Sequence, residues 1–458
     1  MNTISSPLAK NFTVLSLLKF AAPSIGMMII IALYTVTDGI FIGQYAGANA
    51  LAASNIVYPA INIIFGMGMM LASGGSALVA KNLGEKKLLL ANKRFSLLAA
   101  ASFILGLLIA LAIALFFDRV LVFLGASELL MADCRSYLGA MLPFFPAVSL
   151  MTLFNAFYIT DGRPIQGFIV SLLSGITNAL LDYLFLAHLN WGITGAGLAT
   201  GLAYLLAALI GVYYFSRTAK TIRFAAFNFE KKIILKAVSN GSSELVTNLS
   251  MGVTTFLFNI LTFYYAGEAG VAAITTILYA EFLLTSILFG FTNGIAPIFS
   301  YKFGAHDFKT LKHILWLSLG IIATGGLIAF SLARLLAVPL VNLFLPEGGD
   351  VFALTLNGLS LFSFSFLLCG FNIFGSGFFT ALSNGKTSAA ISFARNLAGI
   401  VIFLLILPKL LAINGVWLAV PLADVTALLL TSYCIKQQLA RFDSYQNIDI
   451  SPNNTANS

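Results

Sequence analysis

Long apolar blocks separated by short polar breaks run through almost the whole chain. They lie near 15 to 43, 51 to 80, 95 to 117, 136 to 160, 165 to 187 and 193 to 216. After a gap a second set follows near 243 to 266, 270 to 301, 314 to 340, 353 to 382, 388 to 411 and 414 to 435. Each block can supply the about 20 apolar residues that one bilayer crossing takes. Runs such as Phe95 to Phe117 and Ile391 to Leu407 are continuous, whereas barrel strands alternate apolar and polar over about 10 residues. In lipid a helix satisfies its own backbone groups, so the pattern predicts an all-α polytopic membrane protein with twelve transmembrane helices.

Composition removes the soluble alternative. Of 458 residues, 59% are hydrophobic and 9% charged, against about 25% charged in soluble domains. The first block begins near Leu15 after a polar start and outruns the core of a cleavable signal, so it is expected to remain as a helix. The three cysteines, Cys134, Cys369 and Cys434, lack CxxC spacing and suggest packing rather than a disulfide framework or zinc. His188, His306 and His313 lie in or beside loops without a metal-like arrangement, and no structural metal is expected.

The net charge of +8 is best explained by topology, since no segment is long enough for a nucleic-acid-binding domain. With the amino terminus inside, 20 of the 25 Lys and Arg fall in cytoplasmic segments. Arg119, Arg135, Arg334 and Lys409 fall outside, and Arg395 lies within a helix. Positive charge is retained on the cytoplasmic side. This predicts a multi-pass protein of the cell (inner or plasma) membrane with both termini in the cytoplasm.

Laid on itself with an offset of 220, the chain repeats. Tyr45-Ala46-Gly47 meets Tyr265-Ala266-Gly267, Gly74 meets Gly294, and Gly84 meets Gly304. Far downstream Ile193, Gly195, Leu198 and Ala199 meet Ile413, Gly415, Leu418 and Ala419. Each copy has six helices, so both enter the membrane in the same sense and are related by an axis along the membrane normal. The expected organisation is an amino-terminal lobe over 1–216, a cytoplasmic connection over 217–240, a carboxyl-terminal lobe over 241–437 and a polar cytoplasmic tail over 438–458.

Ionisable groups inside helices cost on the order of 3 kcal/mol each and are functional candidates by default. Five acids fall within the predicted spans: Asp38, Asp182, Glu244, Glu281 and Asp424. Tyr34 lies one turn before Asp38 on the same helix face, and Asn178 one turn before Asp182. Facing carboxylates with a neighbouring amide would offer hard oxygen ligands or a proton-binding pair. The bland alternative places each aspartate near a membrane face, hydrated or capping. The repeat favours function, because the offset carries Asp38 to Phe258 and Asp182 to Ile402: the second lobe keeps the glycines and lacks these acids. Glu244 is expected near the cytoplasmic start of the seventh helix, where a carboxylate interacts favourably with a helix amino terminus. Arg395 is a candidate partner for Glu281 or Asp424, as a structural ion pair or part of a substrate site. Thr200, within the small-residue run Gly195 to Gly201, suggests helix packing. The 41 Phe and 10 Met would face lipid or line an accommodating apolar cavity.

The chain contains no GxxxxGKS phosphate loop and no HExxH or GxSxG motif, so neither ATP hydrolysis nor a membrane hydrolase is expected. The lack of a TVGYG filter weakens a potassium-channel reading. No enzymatic activity is expected.

Taken together, several segments resemble the multidrug and toxin extrusion (MATE) family of secondary transporters. They are Phe20 to Gly26 opening the first helix, Thr37-Asp38-Gly39-Ile40-Phe41-Ile42-Gly43 ending it, Leu83-Gly84 followed by basic residues, Asn178 to Asp182, and Gly195 to Gly201. The combination of Asp38, Asn178 and Asp182 looks like the DinF-like branch. That resemblance implies a cation or proton site formed by Tyr34, Asp38, Asn178, Asp182 and Thr200, with Asn155 as a weaker member. It also implies a first helix that bends at Pro23. Glu244, Glu281 and Asp424 do not clearly match the acids of the other major branch and stay secondary, with Arg395. The implied activity is export of organic, often cationic and amphipathic, compounds in exchange for protons or sodium, with no cofactor and no obligate protein partner. A flippase for a lipid-linked saccharide, from the same superfamily, is the alternative; a lone intramembrane arginine argues against so phosphate-rich a cargo.

Overall fold

The computed structural model describes residues 6–342 and 348–450, without the side chains of Val36 and of 445–450. Among the described residues the secondary structure is helical throughout. The first lobe contains α1 (Val14–Phe41), α2 (Ala48–Gly84), α3 (Leu88–Leu115), α4 (Phe117–Phe123), α5 (Met131–Met141), α6 (Phe145–Thr160), α7 (Pro164–Asp182) and α8 (Gly192–Tyr213). The second contains α9 (Lys231–Asn240), α10 (Ser242–Gly304), α11 (Phe308–Leu335), α12 (Ala337–Asn342), α13 (Asp350–Phe362), α14 (Cys369–Ala381), α15 (Gly385–Phe393), α16 (Ile400–Leu411) and α17 (Ile413–Ile450). Eleven helical stretches among the described residues are long and apolar enough to span a bilayer. The 63-residue α10 is broken at Gly267 and supplies two crossings, which gives twelve.

Backbone geometry repeats with the sequence. Gly47 and Gly267, 220 residues apart, have φ of 94° and 60°, a region glycine enters without steric cost. Each turns the chain between the first and second crossings of its lobe. Lys86 and His306 share positive φ after the second crossing, and Gly192 and Ala412 share it before the last. The two lobes are therefore copies of one six-helix unit around a pseudo-two-fold axis.

The lobes meet mainly through α1 and α2 against α10. A Cβ on Gly84 would overlap the Tyr301 carbonyl oxygen, and one on Gly304 would overlap that of Lys81. A Cβ on Gly290 would sit 2.6 Å from Ile25 Cα, and one on Gly294 3.2 Å from Ala21 Cα. The Gly84 and Gly304 contacts lie at the face that carries Lys81, Lys86, Lys87 and Lys309, called the basic face below, and those of Gly290 and Gly294 lie deeper. In contrast, a Cβ on Gly39, Gly252 or Gly267 would meet nothing within 4 Å.

The connection expected over 217–240 is shorter than its polarity suggested. Residues 221–230 run without regular structure, tied to the first lobe where Thr221 and Ile222 donate backbone N–H bonds to Asp161 at 3.0 and 2.8 Å. Then α9 enters the lobe interface with Ile233, Ala237 and Asn240 buried. The tail expected from 438 continues α17 to Ile450, with Phe442 buried against Phe308; residues 451–458 lie outside the described residues, as do 1–5.

Candidate functional site

Asp38 lies in the last turn of α1, and Asp182 is the last residue of α7. Both helices widen immediately afterwards into π-helical turns, Ile42–Ala46 and Tyr183–His188, a distortion common beside functional groups. Extensive packing of α7 between α1 and α8 brings three separate segments to one point. Thr200 of α8 donates to the Asp38 carboxylate at 3.4 Å, and the Asn178 side-chain amide donates to Thr200 at 3.3 Å.

Asp182 and Asn178 are fully buried, and Thr200 is 4% exposed. Asp182 is therefore shielded from solvent rather than exposed at a membrane face. Neither Asp182 carboxyl oxygen has a hydrogen bond of ordinary geometry, and the Asn178 side-chain oxygen lacks one too, although the Asn178 amide lies close enough to Asp182 to interact with it. The Asp38 carboxyl group is close enough to interact with Asp182 directly. Buried acceptors are normally satisfied, so this concentration of unpaired oxygens needs a positive partner or a shared proton. Five oxygen-bearing groups, Asp38, Asp182, Asn178, Thr200 and Tyr34, are chemically suited to either.

Tyr34 is part of this pocket: its ring lies 5.9 Å from that of Tyr204, which packs edge-on against Phe65 at 5.6 Å. Tyr204 was not anticipated, although it follows Thr200 by four residues and so shares its helix face. Asn155, half-buried in α6, takes no part in the hydrogen bonds that join Asp38, Asn178 and Thr200. Pro23 lies inside α1, where it removes one backbone bond, directly before Ser24 and Ile25 at the Gly290 contact.

The second lobe carries a different polar cluster. Arg395, in the π-helical turn Ala394–Gly399, donates to Asp424 at 2.6 Å and to Asn396 at 2.9 Å. Asn372 donates to the same carboxylate at 3.1 Å and accepts from Thr431 at 3.0 Å. Of the two candidate partners, Arg395 therefore pairs with Asp424, while Glu281 lies within electrostatic reach. At the repeat offset Asp424 occupies the place of Tyr204, so the ion pair stands where the first lobe has an aromatic ring.

Glu244 is not at the basic face. Its helix is preceded by α9, and Gly241 packs on the Met70 carbonyl, 14 residues before the end of α2. At about 1.5 Å per residue, that places Glu244 deep in the lobe interface, where it reaches Ser73 of the first lobe.

This geometry defines a duplicated twelve-span membrane protein with an acidic polar pocket inside one lobe. A family model described as MatE matches residues 23–184 and 245–405, one segment in each lobe. The chain belongs to the MATE family of transporters. Among curated relatives, the multidrug export protein MepA of Staphylococcus saprophyticus is 22% identical over 88% of this chain and 87% of its own length. MepA of Staphylococcus aureus strain MSSA476 is 23% identical over 93% and 94%. Similar solved structures include a MATE in complex with MaL6, with a TM-score of 0.91 at 19% identity over 96% of this chain and all of that one. Another is an outward-facing multidrug resistance MATE family transporter of the MOP superfamily, with a TM-score of 0.90 at 20% identity over 97% and 100%.

Proposed function

We propose that this chain is a secondary active antiporter that exports organic, often cationic and amphipathic, compounds in exchange for protons or sodium. The observation that carries this reading is the meeting of Asp38 and Asp182, from different helices, with Asn178 and Thr200 in a buried pocket of one lobe only. The basic face is cytoplasmic in this reading, so the present arrangement, packed at that face, is outward-facing. A fold likeness to a transporter described as outward-facing supports it. So do relatives named as multidrug export proteins.

Binding of a proton or sodium ion at Asp38 and Asp182 removes their mutual repulsion and lets α1, α7 and α8 draw together. Cargo held by the same lobe then loses affinity, and by linkage cargo weakens cation binding equally. Pro23 in α1 supplies a place where the helix can bend as the pocket tightens. The Gly84 and Gly304 contacts must separate for the lobes to open inward.

The test is efflux of a fluorescent lipophilic cation from vesicles holding the purified protein, with proton and sodium gradients imposed separately. Transport under one gradient, lost in Asp38→Asn and Asp182→Asn, is the expected result. Intact gradient-driven efflux in both variants would overturn the mechanism.

A further inference from the structure

Ahead of α1 the chain passes from one lobe to the other within two residues. Pro7 lies against Gly162, in the connection between α6 and α7 of the first lobe, so closely that a Cβ on Gly162 would sit 2.7 Å from Pro7 Cγ. Leu8, the next residue, is fully buried in the core of the second lobe, and Phe12 is buried beside it. Lys302 of α10, itself buried, donates to the Ala9 carbonyl at 2.9 Å. Two side chains and a backbone oxygen are therefore seated on the second lobe, two residues along α10 from the Gly304 contact.

This seat leaves no slack. Consecutive Cα atoms are about 3.8 Å apart, so Pro7 and Leu8 cannot follow lobes that separate. The same limit applies again at α1, where Thr13 alone lies between Phe12 and the helix and closes a capping box with Ser16. Leu17 and Ala21 continue the seam into the second-lobe core, while the rest of α1 packs along α7 of the first lobe. The duplicated scaffold does not require the seat. Aligned on the helix caps Thr13 and Glu230, Asn11-Phe12 matches Asn228-Phe229 of the segment that leads into α9, and Phe229 is 76% exposed.

We propose that residues 6–13 form a latch. Docked on the second lobe they hold the basic face shut, and inward opening requires Leu8, Phe12 and the Ala9 carbonyl to leave their seats. The inference rests on reading the chain as a transporter whose lobes alternate, and it adds a release step at the amino-terminal end of the α1 seam, remote from the Asp38 pocket.

Two manipulations of opposite sign test it in the full-length protein. Leu8→Ala with Phe12→Ala weakens the seat, and spin labels at positions 87 and 309 in a cysteine-free background report the basic face. Loss of this buried apolar surface is expected to raise the ratio of open to closed populations about tenfold or more. In the second manipulation, Ala9→Cys and Lys302→Cys are joined by a short bis-methanethiosulfonate reagent. Tethering is expected to halt gradient-driven efflux of a fluorescent lipophilic cation from proteoliposomes, and dithiothreitol to restore it. An unchanged distance distribution in a double alanine variant that still unfolds cooperatively overturns the latch, as does a tethered protein that exports at the rate of its reduced form. If the alanine variant does not fold, the tether decides. Wild type that exports nothing under a proton or sodium gradient removes the antiport reading, and the distance measurement, which needs no transport, then decides the latch separately.

Discussion

Gly84 and Gly304 are equivalent residues of the two lobes, and each lies against the other lobe's backbone: Gly84 on the Tyr301 carbonyl, Gly304 on that of Lys81. Tyr301 and Lys81 are themselves 220 apart. One packing rule, applied twice around the pseudo-two-fold axis, thus seals the basic face. A second pair repeats it deeper, with Gly74 against Gly241 and Gly294 against Ala21.

Gly84→Leu should therefore prise the basic face open. The added side chain meets backbone, which cannot rotate away, and overpacking of this kind costs about 1–3 kcal/mol. Spin labels at positions 87 and 309, in a cysteine-free background, should report a short distance in the parent and a longer population in the variant. An unchanged distance distribution would remove Gly84 from the closure.

Arg395→Met should destabilise the protein by about 3–5 kcal/mol, because it leaves the fully buried Asp424 carboxylate unpaired. Adding Asp424→Leu should recover most of that loss, since an apolar pair of similar volume is often neutral or better. Thermal unfolding in detergent measures both. A double variant as weak as the single would show that the charges do more than balance each other.

An amino-terminal strap spans both lobes at the basic face. Pro7 lies against Gly162 of the first lobe, while Leu8 and Phe12 enter the core of the second. Lys302 donates to the Ala9 carbonyl at 2.9 Å and to Asp307 at 3.1 Å. Burial pulls the Asp307 carboxyl up, but bonds from Thr310 and the Lys302 ammonium hold it below the usual carboxylate range. A depressed carboxylate contributes stability above its unfolded value of about 3.9, and that contribution is lost as pH falls through the folded value. Unfolding between about pH 6 and pH 3 should show a shallower loss in Asp307→Asn than in the parent. Identical slopes would exclude the contribution.

Much of this architecture is legible in the chain. The offset of 220 identifies Gly47 with Gly267 and Gly84 with Gly304, and these residues turn the chain and join the lobes. The acids Asp38 and Asp182 stand out because lipid penalises charge. What escaped has local causes. Helix α9 carries Lys231, Lys232 and Lys236 beside buried Ile233 and Ala237, so its mean polarity resembles a loop although one face is core. That misplacement put Glu244 at a membrane face. Arg395 had two candidate partners, and only the packing of α17 on the Ala394–Gly399 turn selects Asp424. Tyr204 was readable from its spacing to Thr200 but carried no charge to draw notice.

The central claim is that cation and cargo compete through Asp38 and Asp182. Its most direct test is the affinity of the purified protein for a lipophilic cation as pH is lowered or sodium raised. The parent should lose affinity as the coupling cation binds, and both Asp38→Asn and Asp182→Asn should bind cargo with a flat dependence. The same loss of affinity in both variants would place the competition elsewhere and contradict the account.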